Sequence, residues 1–584
     1  MYQAAPISDG GRLIFVLEGI FEGIKGGREM FVCPNCGANI NFDPGKQLLH
    51  CDFCDTDLSP DAVIQKDDAE EHTYTESEAD ESSASGYKEY TTTIYTCKEC
   101  GGEILANDNT VATFCSYCGA STVLSSRVGK ERAPEYIIPF KITKEQSADL
   151  YKKAVAKALY APKYMKEDTV IEKFRGIYMP YWVYDFKINR PATIRGQKDH
   201  RSGDYIIHEQ FDISMQVDGH YNGLSSDASS QFSDTLSEAI APYDFNAAVP
   251  FNTSYMSGFY ADAADTDSSI YQKQNRDIVS TEIYNQIAKD PAVRSVTLKK
   301  ESCSNLVPES CFANLGYFPV WFLSCRHKDR VSYAVINGQT GEVATDMPVD
   351  YKKYVISSLI MAIPFAFLFA LLPIMRPIYL VFVSLIFAIT SMIILCSQKN
   401  KIYIRENNLD DVGLNYRKDK IRKMSMAKAG PGQADPPPSS QPVRRVKNEK
   451  KDSSGNGIYY VLIVVCFILS ICAGPIGVIL CVCVITPLIN SFKNKKSKKM
   501  VASRPVVDNK APGNEKFMLC LKPLIGAVLS LGILIFAPNA DEYYYIAAVI
   551  CIVAVLLSFW DIIRGHNELA TRKLPQFDKR GGDE

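Results

Sequence analysis

The sequence predicts a multidomain chain: two small cysteine-rich modules, a central α+β domain, and a C-terminal α-helical transmembrane region of about six spans. Three observations lead there. Eight of the 18 cysteines form four Cys-x-x-Cys pairs before residue 120. Residues 133–350 mix helix-spaced and alternating apolar patterns. Beyond residue 354 the chain carries several long apolar runs. At 584 residues, 46% hydrophobic and 22% charged with a net charge of −2, it is neither wholly disordered nor an ordinary basic nucleic-acid binder.

Residues 1–30 form a leader without a recognisable pattern. The apolar run Leu13–Leu17 is short, Glu18 and Glu22 interrupt it, and no small-residue cleavage site follows, so a signal peptide is not expected. Gly26-Gly27-Arg28-Glu29 is what a translated ribosome-binding site looks like, and a start at Met30 is an expectation.

The cysteine pairs repeat. Cys33-Pro-Asn-Cys36-Gly37 is followed, 14 residues on, by Cys51-Asp-Phe-Cys54. Cys97-Lys-Glu-Cys100-Gly101 is followed, again 14 residues on, by Cys115-Ser-Tyr-Cys118-Gly119. Ile40 matches Ile104, and Phe53 matches Tyr117. Two residues between cysteines let a tight knuckle aim both sulfurs at one point, and the glycine after it permits positive φ. Four thiolates then surround one tetrahedral Zn²⁺ at ~2.3 Å. Redox-active pairs occur singly beside a βαβ pattern, which is absent here. Ligation within each module closes shorter loops than interleaved pairing. The expected ligands are Cys33, Cys36, Cys51 and Cys54 for one zinc and Cys97, Cys100, Cys115 and Cys118 for the other. His50 is expected to be a strand residue, because four thiolates complete the shell. Modules this small fold on metal binding, worth ~10 kcal/mol or more. The two ions are therefore structural, with no open position for catalysis.

These paired knuckles resemble zinc ribbons of the transcription-factor-IIB type. The ordered motifs that follow are Ala133–Phe140, Gly176–Asp185, Ile240–Phe245 and Tyr255–Asp262. Together they resemble bacterial zinc-ribbon-containing membrane proteins, common in clostridia-like organisms and mostly without assigned function. The resemblance covers roughly 31–350 and implies a family, not an activity. The chain has no Gly-x-x-x-x-Gly-Lys-Ser/Thr phosphate loop.

Residues 31–131 hold 18 Asp/Glu against 6 Lys/Arg. Two Zn(Cys)₄ centres add about −4. Phosphate contacts need the opposite sign, so nucleic acid is disfavoured and protein partners are expected at the ribbons. The stretch Asp67–Ser85, rich in Glu, Asp and Ser, reads as an acidic flexible tether.

In the α+β domain, Lys144–Leu159 and Ser268–Lys289 read as helices and Tyr205–Tyr221 as a strand-pair region. Gly176-Ile-Tyr-Met-Pro-Tyr-Trp182 and Gly316-Tyr-Phe-Pro-Val-Trp321 echo each other and read as strand starts bearing core aromatics, with a binding groove as the alternative. A hairpin is expected around Asn337–Gly341. His200, His208 and His220 lack metal-motif spacing, and Asp262, Asp265 and Asp267 read as the start of a helix. Cys303, Cys311 and Cys325 have no regular spacing. No nucleophile motif appears, so no catalytic residue and no organic cofactor is expected.

Apolar runs lie at 355–375, 377–396, 458–472, 476–492, 517–537 and 543–563. The segments 397–457, 493–516 and 564–584 carry 14, 8 and 5 Lys/Arg, and the opposite connections carry one, Arg376. The positive-inside rule then puts both termini in the cytoplasm of a multi-pass cell-membrane protein, where thiols stay reduced. Lys522 and Asp561 sit near run ends, and Gly526 and Ser530 form a small-xxx-small pair suited to helix packing.

The expected order is leader 1–30, zinc ribbon 31–64, acidic flexible linker 65–90, zinc ribbon 91–131, α+β domain 132–350 and transmembrane hairpin 351–396. A basic Pro-rich disordered linker 397–457 follows, then a transmembrane or re-entrant hairpin 458–492. A basic loop 493–516, a transmembrane hairpin 517–563 and a cytoplasmic tail 564–584 complete it. The functional expectation is a non-enzymatic adaptor or scaffold at the lipid bilayer. A transport component, or a nucleic-acid binder, is the alternative.

Overall fold

The computed structural model describes residues 31–61, 88–106, 114–121, 124–290, 311–370, 377–418, 513–536 and 541–577, with scattered residues between 291 and 310. The leader, the acidic tether over 62–87, and the runs at 458–472 and 476–492 lie outside the described residues.

The domain is built on the strand Arg175–Ser202, which pairs antiparallel with Tyr205–Asp227 on one side and Phe312–His327 on the other. Its burial changes along its length for a sequence reason. Residues 176–184 are apolar without alternation and all are buried, so both faces of the sheet are covered there. From Phe186 to Ile194 buried and exposed residues alternate, and the helix Ser269–Lys289 covers one face. Past Gln197 the hairpin is exposed.

The two aromatic echoes are direct neighbours. In the antiparallel register Gly176 faces Trp321 and Gly316 faces Tyr181, so each glycine lies opposite a large ring. Trp182 and Trp321 are both buried, and their indole N–H groups donate to the carbonyls of Thr266 (3.1 Å) and Ile142 (2.8 Å). Phe140 stacks on Phe259 at 4.4 Å and meets Trp321 edge-on at 5.1 Å. These rings fill the core, and Phe259 and Trp321 also border a cavity of about 260 Å³ shared with Phe42, His50 and Lys144. The helix Lys144–Lys157 starts at a capping box between Thr143 and Gln146, and Val343–Thr345 closes the expected hairpin onto Arg330–Asn337.

The second ribbon departs from its expected independence. Its strands Glu89–Thr96, Glu103–Ala106 and Ser125–Arg132 extend the same thirteen-stranded sheet, with Ala106 paired to Tyr260. No linker separates them from the domain, and Ile104 and Tyr117 share a core with Ile177 and Phe318. The first ribbon keeps its own sheet of Asn41–Asp43, Leu48–His50 and Asp57–Leu58. It rests on the domain through hydrogen bonds of Phe42 N to the Ser257 carbonyl (3.0 Å) and of Asn252 Nδ2 to the Pro60 carbonyl (3.0 Å).

The expectation of about six spans is corrected. Among the described residues two helices are long and apolar enough to cross a membrane, Ser384–Glu406 and Glu542–Leu569. An apolar run counts as a span only where one helix keeps both length and low charge. Two further apolar helices are Tyr351–Ala370 and Gly513–Phe536, the second with the shorter apolar stretch Lys522–Ile533 among the described residues. Gly526 and Ser530 do lie at a helix contact: Ser530 Oγ donates to the Ala547 carbonyl at 2.8 Å, and a Cβ on Gly526 would meet Ala554 at 2.5 Å.

The expected linker also begins later than 397. The helix Pro377–Glu406 runs on, and Arg405 pairs with Asp346 at 2.8 Å. Residues 411–418 fold back on the domain, where Arg417 pairs with Asp265 at 2.5 Å and both side chains are largely buried. This ion pair, the hydrogen bond from Val412 N to Asp234 and the packing of Val412 on the domain core hold the segment. Residues 419–457 lie outside the described residues.

Candidate metal centres

Each Cys-x-x-Cys pair folds into the same knuckle. The N–H four residues on returns to the first cysteine's carbonyl: Gly37 to Cys33 (2.8 Å), Asp55 to Cys51 (2.9 Å), Gly101 to Cys97 (2.8 Å) and Gly119 to Cys115 (3.0 Å). That turn requires positive φ, and the four residues have φ of 74°, 53°, 72° and 70°. Glycine meets it freely at three knuckles, and Asp55 tolerates it at the fourth.

The knuckles converge in pairs. Cys33, Cys36, Cys51 and Cys54 lie within 4.8 Å of one another, as do Cys97, Cys100, Cys115 and Cys118. Sulfur–sulfur edges are 3.5 Å for Cys33–Cys54, 3.5 Å for Cys36–Cys51, 3.8 Å for Cys97–Cys118 and 3.6 Å for Cys100–Cys115. A tetrahedron with ~2.3 Å metal–sulfur bonds has edges of ~3.8 Å, so the donor sets fit zinc. All eight thiols are free of disulfides. Each cluster can hold one structural zinc ion.

The sulfurs crowd each other electrostatically. The Thr56 hydroxyl holds the Cys54 thiol down to about 6. At Cys36 the pull of the Ala38 N–H is outweighed by the Cys54 and Cys51 sulfurs, which push the thiol up to about 12. In the second cluster the Cys100 contact lowers Cys97 and raises Cys115. Neighbouring sulfurs thus push one another's pKa in opposite directions, and a bound dication favours the ionised form of all four.

The environments differ. All four sulfur ligands of the second cluster are buried, whereas Cys36 is exposed in the first. The second cluster is covered by the strand Arg572–Lys573 and the residues after it. Phe577 N donates to the Cys100 carbonyl at 2.7 Å, and its ring meets Tyr117 edge-on at 5.7 Å. Sequence reasoning missed this cover, since no local pattern in the tail points at a cysteine.

His50 is a strand residue as expected, with Nδ1 2.6 Å from Asp57. His200, His208 and His220 sit apart on the long hairpin beside Glu209, Asp199 and Asp185. Of the three aspartates read as a helix start, only Asp267 acts as one, accepting from Ser269 N at 2.8 Å. Asp262 and Asp265 instead bind Ser229 and Ser230. Near them sits an unforeseen buried acidic group. Asp234 accepts from the Tyr271 hydroxyl (2.7 Å) and Val412 N (2.8 Å). Burial, together with Asp234 and Asp411, holds Asp227 well above the usual carboxylate range. Among the described residues, only the two cysteine quartets gather three or more potential ligands at metal-binding distances.

Comparison with known proteins finds a distant relative, the uncharacterized protein YdjG of Bacillus subtilis (strain 168). It is 26% identical over 333 residues, which cover 55% of this chain and 91% of that protein. No family profile and no solved structure matches the chain. The class that the fold and centres define is a zinc-ribbon-type protein with two Cys₄ clusters and a sheet-rich domain.

Proposed function

We propose that this protein is a non-enzymatic adaptor that holds protein partners at a membrane through its zinc ribbons. The observation that carries this reading is a pair of four-cysteine shells, each complete, with the first displayed at the surface of a domain attached to apolar helices. A complete shell leaves no position for substrate. Membrane attachment is supported by the outward apolar side chains of those helices, among them Ile525, Leu529, Val549, Val553, Leu556 and Leu557, each about half exposed or more. Both candidate spans end against the domain: Arg405 reaches Asp346 and the Leu569 carbonyl. We place that end in the cytoplasm, where thiolate ligands stay reduced.

The test is a crosslinked pull-down from membranes with the full chain and its Cys33→Ser and Cys97→Ser variants. Partners captured by the parent and lost with Cys33→Ser support the adaptor. Recovery that ignores both variants refutes it. Flotation with lipid vesicles checks attachment, and labelling of Cys36 from one side checks orientation.

A further inference from the structure

The internal repeat makes the two ribbons comparable position by position, and at one surface they have opposite fates. On the second ribbon three features receive the tail segment: the Cys100 carbonyl accepts from Phe577 N, Gly101 leaves room for the Phe577 backbone, and Tyr117 meets the Phe577 ring. A Cβ on Gly101 would sit 2.1 Å from the Phe577 carbonyl oxygen, so the segment lies directly on the knuckle. The equivalents on the first ribbon are Cys36, Gly37 and Phe53. Cys36 is exposed, a Cβ on Gly37 would meet nothing within 4 Å, and Phe53 is 82% exposed against 1% for Tyr117. Among the described residues no N–H donates to the Cys36 carbonyl.

The charge differs at the same positions. Where the second ribbon has Ser116 and Gly119, the first has Asp52 and Asp55, whose side chains are 73% and 95% exposed. Lys46 is held on Asp57 at 3.1 Å, and the His50 ring lies between Asp57 (2.6 Å) and Asp52 and Asp55 (4.0 and 3.8 Å). A Zn(Cys)₄ centre beneath adds about −2. The segment seated on the second ribbon, Arg572-Lys573-Leu-Pro-Gln-Phe577, is itself cationic, extended and aromatic at its end.

We propose that the exposed knuckle face of the first ribbon docks an extended cationic peptide segment of a protein partner. Its aromatic side chain lies on Phe53, its backbone N–H donates to the Cys36 carbonyl, and its Lys or Arg side chains meet Asp52 and Asp55. This rests on the adaptor reading and names the partner's chemistry. Aromatic contact and backbone pairing fix the seat, and the two carboxylates select against acidic segments.

The experiment uses the zinc-loaded full chain in detergent and a fluorescent peptide of the sequence Ala570–Phe577. Saturable binding is expected that weakens ~10-fold in Phe53→Ala. It should weaken to a similar degree in a chain carrying both Asp52→Asn and Asp55→Asn, and with rising salt. Peptides carrying Phe577→Ala, or Arg572→Ser with Lys573→Ser, should lose affinity likewise. Unchanged zinc content in the Phe53→Ala chain shows that the ribbon has folded. No saturable binding, or binding indifferent to Phe53→Ala, overturns the proposal. Self-association of the full chain that Phe53→Ala abolishes also overturns it, because the occupant is then a second copy. Partners captured through Cys33 but indifferent to Phe53→Ala would leave the adaptor standing and remove this site.

Discussion

The paired glycines Gly37 and Gly101 give a built-in control for the tail's place on the second ribbon. They share φ within two degrees, 74° and 72°, and close the same turn. Replacing either by alanine imposes the same left-handed strain, about 1–2 kcal/mol. Only Gly101→Ala adds a collision, because its Cβ would lie 2.1 Å from the Phe577 carbonyl oxygen and 3.2 Å from its carbonyl carbon. Both are backbone atoms and have no rotamer by which to retreat, so the segment must lift. Lifting it forfeits the 2.7 Å hydrogen bond from Phe577 N to the Cys100 carbonyl, worth about 1 kcal/mol. It also exposes part of the Phe577 ring and its edge contact with Tyr117, about another 1 kcal/mol. The sum, roughly 2 kcal/mol, lowers the docked population ~30-fold. Hydrogen exchange of the Phe577 amide, with trypsin cleavage at Arg572 and Lys573, reads it in the full chain. Gly101→Ala should accelerate both by about that factor, and Gly37→Ala should accelerate neither. Unchanged exchange in Gly101→Ala, or equal acceleration in both variants, would refute the reasoning.

Elemental analysis should find two zinc ions per chain, falling to one in Cys33→Ser, because each quartet is a separate site. Chelation should melt the first ribbon's three-stranded sheet before the second ribbon's strands, which the large sheet supports, and amide exchange follows that order. Burial and the Asp234 and Asp411 carboxyls raise the Asp227 pKa in the fold. A raised carboxyl contributes stability that is full below about pH 4 and is lost as pH rises toward the folded value. Denaturant midpoints should therefore fall over that window, and Asp227→Asn should flatten the fall. Gly526→Leu should push the Gly513–Phe536 and Asp541–Leu569 helices apart, since even a Cβ there lies 2.5 Å from Ala554. Overpacking of this kind costs about 1–3 kcal/mol, seen as a lower melting temperature in detergent.

The parts legible in the sequence are those set by local chemistry. Cys-x-x-Cys spacing, the glycine after a knuckle, the helical spacing that begins at Lys144 and the turn at Asn337–Gly341 each act within a few residues, and the structure holds them where their pattern puts them. The unread parts depend on partners far along the chain. Nothing near Phe577 announces Cys100, 477 residues away in the sequence. Arg417 reads as one charge in a basic linker, yet Asp265 holds it on the domain. Asp227, Asp234 and Asp411 are scattered polar residues until the fold buries them together. The span count failed for another reason. It counted apolar runs alone, and among the described residues only Ser384–Glu406 and Glu542–Leu569 form helices long and apolar enough to cross a membrane.

Duplicated modules that keep their ligands but exchange their surroundings separate what the metal requires from what the rest of the molecule requires. The metal requires eight sulfurs and four positive-φ turns, and both copies supply them. The copies differ in cover on both knuckles, at Cys36 against Cys100 and at Phe53 against Tyr117. Tyr117 is covered by Phe322, Phe577 and the Tyr333 hydroxyl, which donates to its carbonyl at 2.8 Å, so Ser116 and Gly119 are small and uncharged where sheet and tail press close. An aspartate at the buried Ser116 position would lie beside a dianionic centre, which costs several kcal/mol. The first ribbon bears Asp52 and Asp55 without that cost because water covers them. The tail and the sheet thus make the second ribbon a fixed joint between domain and helices, with Arg572 and Lys573 pairing to Asp346 and Glu406. Freed from that task, the first ribbon can carry an exposed ring between two carboxylates, a surface that folding does not demand.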